Sequence, residues 1–544
     1  MFQEYNKNIK KIFTKLPKNE AELAVLKRKF AKQNKTNLLT NAELLKAYRG
    51  LVKSKKIKSD KNLEELFKKR HIRTLSGVAP VAVLIKPYKC PGNCVYCPTE
   101  KNMPKSYLSN EPAVMRAVLC QFDPFKQVAL RIRALENNGH ETDKIELIIM
   151  GGTWDYLPEK YRLCFVYNCF LAANNYKKNK ISKLVNKITW DDLYTEQKKN
   201  ETAKHRIVGL TLETRPDYIT EKSAWAMREL GCTRVELGVQ HIDDQILKLN
   251  KRGHGVKETI KATKILRDLG FKITYHLMLN LPGSNPDKDF LMFKKLFSDY
   301  NFQPDQIKIY PCVVNEYAEL YNWWKKGQYK PYTTKKLTML LIKIKKIIPY
   351  YVRIIRVIRD IPEESIAAGN KITNLRHLLK VECKCIRCRE VGHQIERQKA
   401  KGKRQKMGTK MFIEKYNANG GTEYFLSMES EDRKILYAFC RLRLPKSINL
   451  SAGAKNGSLG VQADKIAIIR ELHSYGQLTP IGSKIKLSSQ HKGLGKKLLI
   501  EAEKIAQKNG FQEIAVIAGI GVREYYKKLG YTELRQTYLI KKLK

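Results

Sequence analysis

The sequence predicts an α/β protein in which a partly closed barrel of parallel strands is joined to a second α/β domain. Six short apolar runs alternate with helical segments up to about residue 360, a pattern typical of parallel strands with right-handed crossovers. Four more strand-like runs, a helix and a further strand follow residue 410. With 544 residues, the chain is too long for one hydrophobic core. We expect a basic helical module at 1–75, the barrel at 76–360, a linker at 361–409 and the second domain at 410–544.

Basic residues exceed acidic ones by a wide margin, with 104 Lys and Arg against 53 Asp and Glu and a net charge of +51. This excess favours a polyanionic partner, with nucleic acid ahead of a membrane surface. The alternative is a lysine-rich surface with no such partner. No apolar run approaches the roughly 20 residues of a membrane span, and the N-terminus lacks the features of a secretory signal. We therefore expect a cytoplasmic protein, in which clustered cysteines are metal ligands rather than disulfides.

The first apolar run of the barrel leads into CPGNCVYC, which places Cys90, Cys94 and Cys97 in one short loop. Three thiolates at this spacing can hold three irons of a [4Fe-4S] cluster and leave the fourth iron open. That arrangement is typical of radical S-adenosylmethionine (SAM) enzymes, in which SAM binds the open iron. The alternative is a zinc knuckle with a remote fourth ligand. We predict that Cys90, Cys94 and Cys97 hold a [4Fe-4S] cluster and that SAM binds to its open iron.

Polar residues and glycines follow the next strands at the edge where a barrel of this kind carries its site. Gly151 and Gly152 would let the main chain approach SAM. Glu213, Arg215 and Gln240 could bind the ribose and carboxylate of SAM. The alternative is that the glycines only turn the chain and that Glu213 pairs with Arg215.

A second cysteine group lies in the linker. Cys383, Cys385 and Cys388 stand close together, with His393 after them and His377 before them. Four such ligands suit a structural, tetrahedral zinc ion that would stabilise a segment with little core of its own. A second iron–sulfur cluster is the alternative, and the choice between the two histidines stays open.

The last domain carries a glycine loop at the start of an amphipathic helix. Gln490, Gly493 and Gly495 spell Q-x-x-G-x-G, which suits a pyrophosphate bound by backbone N–H groups. GNAT acetyltransferases bind coenzyme A in this way. In the following helix, Tyr526 could protonate the departing thiolate. The alternative, an aromatic side chain packed on a helix face, competes more strongly for Tyr525 than for Tyr526.

From about residue 70 onward, the chain resembles the Elongator catalytic subunits, which are tRNA wobble-uridine acetyltransferases, in their stand-alone archaeal or bacterial form. The resemblance depends on motifs that occur in a fixed order. They are RTLSGVAPVAVLIKPYKCPGNCVYCP, PKSYLSNEPAVMRA, GHETDKIELIIMGGT, GLTLETRPDY, GCTRVELGVQ, RGHGV, ELHSYG, QHKGLG and YYKKLGY.

The resemblance implies a reaction with two cofactors. A SAM-derived radical would activate the methyl group of acetyl-CoA, and a carboxymethyl group would be installed at C5 of the wobble uridine. The resemblance also assigns individual residues. Lys144 would lie on the barrel side of the acetyl-CoA site and Tyr526 would be catalytic. The strand beside the thioester would supply Glu471, Leu472, His473 and Ser474, and the pyrophosphate loop would supply Leu494, Gly495 and Lys496.

The expected partners are a tRNA anticodon stem-loop and an electron donor, with a homodimer possible and other Elongator subunits not required. The basic N-terminus, a lysine-rich insertion at 175–205 and a basic run at 397–406 would hold the RNA through its phosphates. Two other functions are considered. One is a protein lysine acetyltransferase that uses only the last domain, and the other is a scaffold that has lost its chemistry.

Overall fold

The computed structural model describes residues 13, 16–69, 74–176, 188–372, 374–394, 408–446, 466–476, 493–534 and 536–543. Part of the 175–205 insertion, the 397–406 run and Gln490 therefore lie outside the described residues. No helix in these ranges is both long enough and apolar enough to cross a membrane.

In the described residues, three helices precede the barrel: α1 (Glu20–Asn34), α2 (Asn41–Lys53) and α3 (Lys61–Phe67). Each begins at a side-chain cap, and α2 has a complete capping box between Thr40 and Glu43. Their apolar faces form a small core of their own around Tyr48 and Phe67. Nη1 of Arg49 donates to the backbone carbonyl of Glu136 at 3.2 Å, so this module contacts the barrel.

The barrel is a seven-stranded parallel sheet in which neighbouring strands follow the order of the chain. The strands are β1 (Ala79–Leu84), β2 (Lys144–Met150), β3 (Arg206–Thr214), β4 (Arg234–Gln240), β5 (Lys272–Leu279), β6 (Gln306–Pro311) and β7 (Arg353–Arg356). The six predicted strands are present. The seventh was missed, because it is only four residues long and its two isoleucines are flanked by arginines, so that it carries little apolar signal.

Helices cover the outer face of this sheet. They are α4 (Pro112–Leu119), α5 (Pro124–Asn137), α6 (Glu159–Asn175), α7 (Trp190–Asn200), α8 (Glu221–Glu229), α9 (Asp244–Leu249), α10 (Val256–Asp268), α11 (Pro286–Ser298), α12 (Leu320–Lys325) and α13 (Thr334–Ile347). Two short helices, α14 (Leu375–Leu378) and α15 (Ile386–Arg389), follow in the predicted linker. Cys385 and Ile386 are fully buried in the main core, so this segment is packed into the body of the protein.

The second sheet has the order β13-β14-β12-β11-β10-β9-β8 and is mixed, with only β11 and β12 parallel among its described pairs. Its strands are β8 (Lys410–Ala418), β9 (Gly421–Glu429), β10 (Leu436–Pro445), β11 (Ile466–Ser474), β12 (Glu513–Val516), β13 (Thr532–Leu534) and β14 (Tyr538–Lys542). Its helices are α16 (Leu494–Lys508) and α17 (Arg523–Lys527). The sequence predicted all of these elements except the terminal hairpin of β13 and β14.

The two sheets share one hydrophobic core and several buried ion pairs. Arg470 on β11 lies 2.5 Å from Asp305, which immediately precedes β6, and both side chains are fully buried. Glu201, at the end of α7, pairs with Lys527 of α17 at 2.8 Å. The described part of the lysine-rich insertion therefore packs against the second sheet's domain instead of only extending the basic surface.

Candidate functional site

The loop from Cys90 to Cys97, here called the cluster loop, follows β1 at the carboxyl end of the barrel. Cys94 is buried, whereas Cys90 and Cys97 are half-buried. The backbone N–H of Gly92 donates to Sγ of Cys90 at 3.4 Å. A Cβ at position 92 would lie 2.2 Å from Nη1 of Arg215, so only glycine lets the loop approach this guanidinium so closely.

The sulfurs of the cluster loop are less tightly grouped than those of the second cysteine group. Sulfur ligands around one zinc ion, at about 2.3 Å from it, lie roughly 3.8 Å apart. Among the residues that the structure describes, only Cys383, Cys385 and Cys388 bring three ligand atoms within 4.8 Å of one another. At least two of the three sulfurs of the cluster loop are therefore more than 4.8 Å apart. This spacing is compatible with three irons of a four-iron cluster.

Cys94 contacts Arg252, a residue that the sequence analysis did not single out. Nη1 of Arg252 donates to Sγ of Cys94 at 3.4 Å, and its Nη2 donates to the carbonyl of Gly238. Burial alone would raise the pKa of Cys94, but the charge and hydrogen bond of Arg252 lower it. Arg252 thus favours the thiolate, which is the form that binds iron. The only signal in the sequence was the RGHGV motif, which had served for the resemblance alone.

Two guanidinium atoms beside the cluster loop fit a bound anionic group. Nη1 of Arg215 and Nε of Arg252 are buried and make no hydrogen bond to any described residue. Buried donors of this kind normally have a partner. Arg215 directs Nη1 at Gly92, within the loop itself. An iron–sulfur cluster with SAM would place negative charge and acceptor atoms here, so the residues present fit both groups.

The two glycines after β2 adopt conformations that other residues rarely reach. Gly151 has a φ of 134° and Gly152 a φ of 97°. A Cβ at position 151 would also lie 2.2 Å from Cγ1 of Ile85, at the end of β1. The backbone conformation at this edge therefore favours glycine at both positions. The approach of this main chain to SAM stays a prediction.

Glu213 and Arg215 leave β3 at the same edge but have different partners. Arg215 makes a two-pronged contact with Asp217, at 2.8 and 3.0 Å. Glu213 accepts a hydrogen bond from Tyr107 at 2.7 Å and lies 3.7 Å from Nδ1 of His276. The alternative expectation, a pair between Glu213 and Arg215, is therefore not what the structure shows. Tyr107 and His276 are further site residues that sequence reasoning missed, although Tyr107 lies in the PKSYLSNEP segment.

Gln240 ends β4 with a φ of 69°, the left-handed conformation that non-glycine residues seldom adopt outside special sites. A Cβ at Gly238 would lie 3.2 Å from Nε2 of Gln240 and 2.8 Å from Nη2 of Arg252. Gln240 therefore lies beside the arginine that holds Cys94. The structure thus brings Gln240, Arg215 and the cluster loop together at one edge of the barrel, here called the rim.

Buried charges continue from the rim into the barrel interior. Nε2 of His276 lies 2.9 Å from Oε2 of Glu236, and Lys308 donates to the same oxygen. Arg234 lies 3.9 Å from the other oxygen of Glu236 and 2.7 Å from Glu146. Burial alone would raise the pKa of Glu236, but Lys308 and His276 hold it well below its usual range. Barrels of this class are usually filled by branched apolar side chains, so this polar interior is a distinct feature.

At the opposite end of the barrel, the interior charges meet β11 of the second sheet. Lys272, the first residue of β5, lies 3.3 Å from Glu471, and Nε of Arg441 donates to Glu471 at 3.0 Å. Burial would raise the pKa of Glu471, but Lys272 and Arg441 lower it to about 2. Nε2 of His473 lies 2.8 Å from the carbonyl of Ser76, which precedes β1. The predicted thioester strand therefore lies at the amino ends of the barrel strands.

Strand β11 extends past the end of its pairing with β12, and the region beside this extension is here called the cleft. The two strands pair only from Ile466 to Ile469, whereas β11 continues to Ser474. A Cβ at Gly495 would lie 3.2 Å from Oη of Tyr525, 3.8 Å from Leu472 and 3.8 Å from Ser474. The end of β11, the start of α16 and the helix α17 therefore converge.

The start of α16 has the geometry predicted for a pyrophosphate loop. Gly493 is its N-cap, with a left-handed φ of 76°, and Leu494, Gly495 and Lys496 form its first turn. Lys496 is exposed and Leu494 is buried. Backbone N–H groups at such a terminus suit an anion.

Tyr525 reaches this cleft, whereas Tyr526 packs in the core. Tyr525 is 42% exposed; Tyr526 is only 5% exposed, with its ring 5.8 Å from that of Tyr531. Burial raises the pKa of both hydroxyls, and that of Tyr526 well above its usual range. The exposures are the reverse of what the sequence analysis favoured. Lys144 begins β2 at the same end of the barrel, and burial lowers its pKa.

The second cysteine group forms a compact site without a histidine. The sulfurs of Cys383, Cys385 and Cys388 lie within 4.8 Å of one another, a spacing that suits a single tetrahedral ion. The structure does not bring His393 into this group, and its Nε2 lies 3.3 Å from Glu390. His377 is not part of the group either. The fourth ligand stays open.

Comparison with known proteins agrees with this arrangement. The Radical SAM superfamily matches residues 84–295, and the Radical_SAM C-terminal domain matches residues 304–387. The tRNA uridine(34) acetyltransferase of Methanocaldococcus jannaschii is 44% identical over 87% of this chain and 86% of that protein. The Elongator complex protein 3 of Homo sapiens is 37% identical over 88% of this chain and 86% of its own length.

A solved structure extends the similarity to the fold. The archaeal Elp3 of Methanocaldococcus infernus, which lacks its N-terminal residues 1–46, has a TM-score of 0.72 and 42% identity. The similarity covers 86% of this chain and all of that one. With its cluster loop, rim and second sheet, the chain belongs to the family of Elongator complex protein 3 and the tRNA uridine(34) acetyltransferases, and it carries a radical SAM domain.

Proposed function

We propose that the protein is a tRNA uridine acetyltransferase that uses acetyl-CoA and radical SAM chemistry to install a carboxymethyl group at C5 of the anticodon wobble uridine. The observation that carries this proposal is the presence of two sites, the rim and the cleft beside β11, in one body with a shared core. The relatives named tRNA uridine(34) acetyltransferase support the choice of substrate.

At the rim, a bound [4Fe-4S] cluster and SAM would supply the reductive cleavage that begins radical chemistry. Cys90, Cys94 and Cys97 would hold the cluster. Arg252 would favour the thiolate of Cys94, since it donates to Sγ at 3.4 Å and lowers the pKa of this thiol. Glu213, which accepts a hydrogen bond from Tyr107, would accept hydrogen bonds from the ribose of SAM.

In the cleft, the first turn of α16 would bind the pyrophosphate of acetyl-CoA, and the end of β11 would lie beside the thioester. Tyr525 is the better placed of the two tyrosines to donate a proton to the departing sulfur, because its hydroxyl reaches Gly495 and its neighbours. Tyr526 would support it from the core. Lys144 would face the same region from the barrel side.

The two sites face opposite ends of the barrel strands. Strand β2 has seven residues, from Lys144 to Met150, which corresponds to about 20 Å. Movement of the acetyl unit over roughly this distance is therefore part of the proposal.

We further propose that Cys383, Cys385 and Cys388 hold a structural zinc ion, and that the four predicted domains act as one enzyme. The proposed partners are a tRNA anticodon stem-loop and an electron donor, in the cytoplasm, with other Elongator subunits not required and a homodimer possible. A protein lysine acetyltransferase built on the last domain alone is disfavoured, because Arg470 is fully buried against Asp305 of the barrel.

The proposal is tested by incubating tRNA anaerobically with the protein, SAM, a reductant and acetyl-CoA that carries ¹³C in both acetyl carbons. Mass spectrometry of the tRNA nucleosides should show both labelled carbons on a uridine. The label should be absent with the Cys94→Ala variant. Label on protein lysines, with none on tRNA, would instead support the acetyltransferase alternative.

A further inference from the structure

A groove of about 400 Å³ lies on the rim beside the cluster loop, and none of the residues discussed above accounts for it. It lies among three successive strand-to-helix connections. One wall is Asn280 to Ser284, which follows β5, and the other runs from Trp323 on α12 to Lys330. Leu249, at the end of α9, completes it. Loops in these positions build the active sites of barrels, and the volume is within the range of ligand pockets.

Short hydrogen-bonded connections link both walls of the groove to the cluster loop. Asn250 donates from Nδ2 to the carbonyl of Pro282 at 2.9 Å and accepts from the N–H of Val95 at 3.2 Å. The N–H of Leu320, the first residue of α12, donates to the carbonyl of Val95 at 2.8 Å. Since Val95 stands between Cys94 and Cys97, both walls of the groove are connected directly to the cluster loop.

The lining of the groove has the chemistry of a site for an unpaired nucleobase. Trp323 is half-buried and Leu249 is 46% exposed, so an aromatic and an apolar surface are available for stacking. Gln328 and Lys330 are exposed at the edge and offer an amide and a cation. No acidic residue is among the described residues that line the groove. Bases that leave a single-stranded RNA loop are recognised by stacking on aromatic rings and by hydrogen bonds to their edges.

The floor of the groove is held rigidly. Oη of Tyr329 donates to the carbonyl of Asn280 at 2.8 Å and accepts from Nδ2 of Asn280 at 3.0 Å. The N–H of Gln328 donates to the carbonyl of Trp323 at 2.8 Å, which fixes the turn that carries the edge groups. These contacts preform the groove before a ligand binds.

We propose that this groove binds a second base of the anticodon loop, a neighbour of the wobble uridine, by stacking on Trp323 while Lys330 contacts a phosphate. This inference rests on the proposed function and deepens it, because a base held here would set the position of the uridine that enters the rim. The groove is then a determinant of which loop sequences are substrates.

The test measures binding of the cluster-loaded protein to the anticodon stem-loop of a tRNA that it modifies. Each loop base is replaced in turn by an abasic nucleotide. In the wild type, one abasic position other than the wobble base should weaken binding about 5- to 100-fold. In Trp323→Ala this penalty should disappear, whereas Trp323→Phe should keep most of it. Trp324→Ala, a half-buried neighbour outside the lining, is the matched control and should behave like the wild type.

Lys330→Gln provides a second variant at an exposed position, where folding is not at risk. It should lower the slope of log K against log salt by about 1, in the manner of a single lost phosphate contact. Iron content and the thermal midpoint of each variant show that it is loaded and folded.

The inference is overturned if Trp323→Ala binds the RNA as tightly as the wild type, or if the abasic penalty persists unchanged in that variant. It is also overturned if both variants keep full RNA affinity but cleave SAM more slowly than the wild type when a ferredoxin supplies the electrons. With dithionite as the reductant, both variants would then cleave SAM at the wild-type rate. The groove would then dock an electron carrier. If the wild type itself neither binds nor modifies tRNA, both the proposed function and this inference fail. That result differs from one in which the wild type modifies tRNA but the groove has no part in binding it.

Discussion

Arg215 and Arg252 place two guanidinium groups beside the loop of three thiols, and their charge favours the thiolate of the buried Cys94. Burial favours the neutral thiol, whereas the contact of Arg252 with Cys94 favours the thiolate. The motif spacing predicted the three cysteines. It could not predict Arg252, which lies more than 150 positions away and reaches Cys94 only in the folded barrel.

The tyrosine pair provides the first prediction. Tyr525→Phe should lower turnover of acetyl-CoA by about 100-fold, because a general acid contributes at least this much and the hydroxyl of Tyr525 lies in the cleft. Tyr526→Phe should have a smaller effect, because the Tyr526 side chain is only 5% exposed. The rate at which free coenzyme A is released measures the turnover of both variants. A greater loss in Tyr526→Phe would restore the assignment that the resemblance favoured.

The sequence could not predict which of the two tyrosines is exposed. Neighbouring residues of a helix point about 100° apart, so a one-residue change in the phase of the helix exchanges the core and cleft sides. The motif YYKKLGY identifies the pair, but α17 is only five residues long and its periodicity cannot fix the phase.

Strand β11 joins the second sheet to the barrel through buried charges, and the stability of this junction should depend on pH. Glu471 has a folded pKa of about 2, against roughly 4.3 when unfolded. A depressed carboxyl pKa stabilises the folded state above pH 4.3, by about 3 kcal/mol, and this contribution is lost as the pH falls towards 2. Glu471→Gln should therefore lower the thermal midpoint clearly at pH 7, with a smaller difference from the wild type below pH 4.

Glu319→Gln is the control for this measurement. Glu319 pairs with Lys251 at 2.6 Å, but both side chains are largely exposed, so the change should cost less than about 1 kcal/mol. Equal effects of the two variants, or a difference at Glu471 that does not depend on pH, would contradict the buried ion pair.

The second cysteine group predicts one zinc ion per chain. Cys385→Ser should lose the metal and lower the thermal midpoint, because Cys385 and Ile386 are buried in the core that both sheets share. His393→Ala should retain the metal, because His393 lies outside the group of three sulfurs and next to Glu390. Elemental analysis of both variants decides this. Loss of zinc in His393→Ala would show that this histidine is the fourth ligand after all.

The elements were predicted where their pattern is strong. Strands such as β2 and β5 are long apolar runs, and the α16 loop carries its glycines at a recognisable spacing. By contrast, β7 is four residues long with arginines at both ends, and β13 has three residues. Such strands are held by their neighbours in the sheet and not by their own sequence.

At the scale of the whole molecule, the net charge of +51 predicts RNA binding that weakens with salt. Lys55, Lys56 and Lys58 are exposed just after α2. Changing all three to glutamine should weaken tRNA binding and reduce the slope of log K against log salt by up to about 3. Filter binding at several salt concentrations measures this.

The matched control is the triple change of Lys294, Lys295 and Lys335 to glutamine, at exposed positions on α11 and α13. It removes the same charge from the outside of the barrel. If both triple variants lost affinity equally, the effect would come from total charge and not from an N-terminal grip on the RNA.

The whole account depends on the cluster loop, because its three thiols must leave one iron free for SAM. The most direct measurement is electron paramagnetic resonance of the anaerobically reconstituted and reduced protein, with and without SAM, together with its iron content. The account predicts about four irons at this site and a spectrum that changes when SAM is added. Zinc in the cluster loop, or an iron–sulfur spectrum that SAM leaves unaltered, would contradict it.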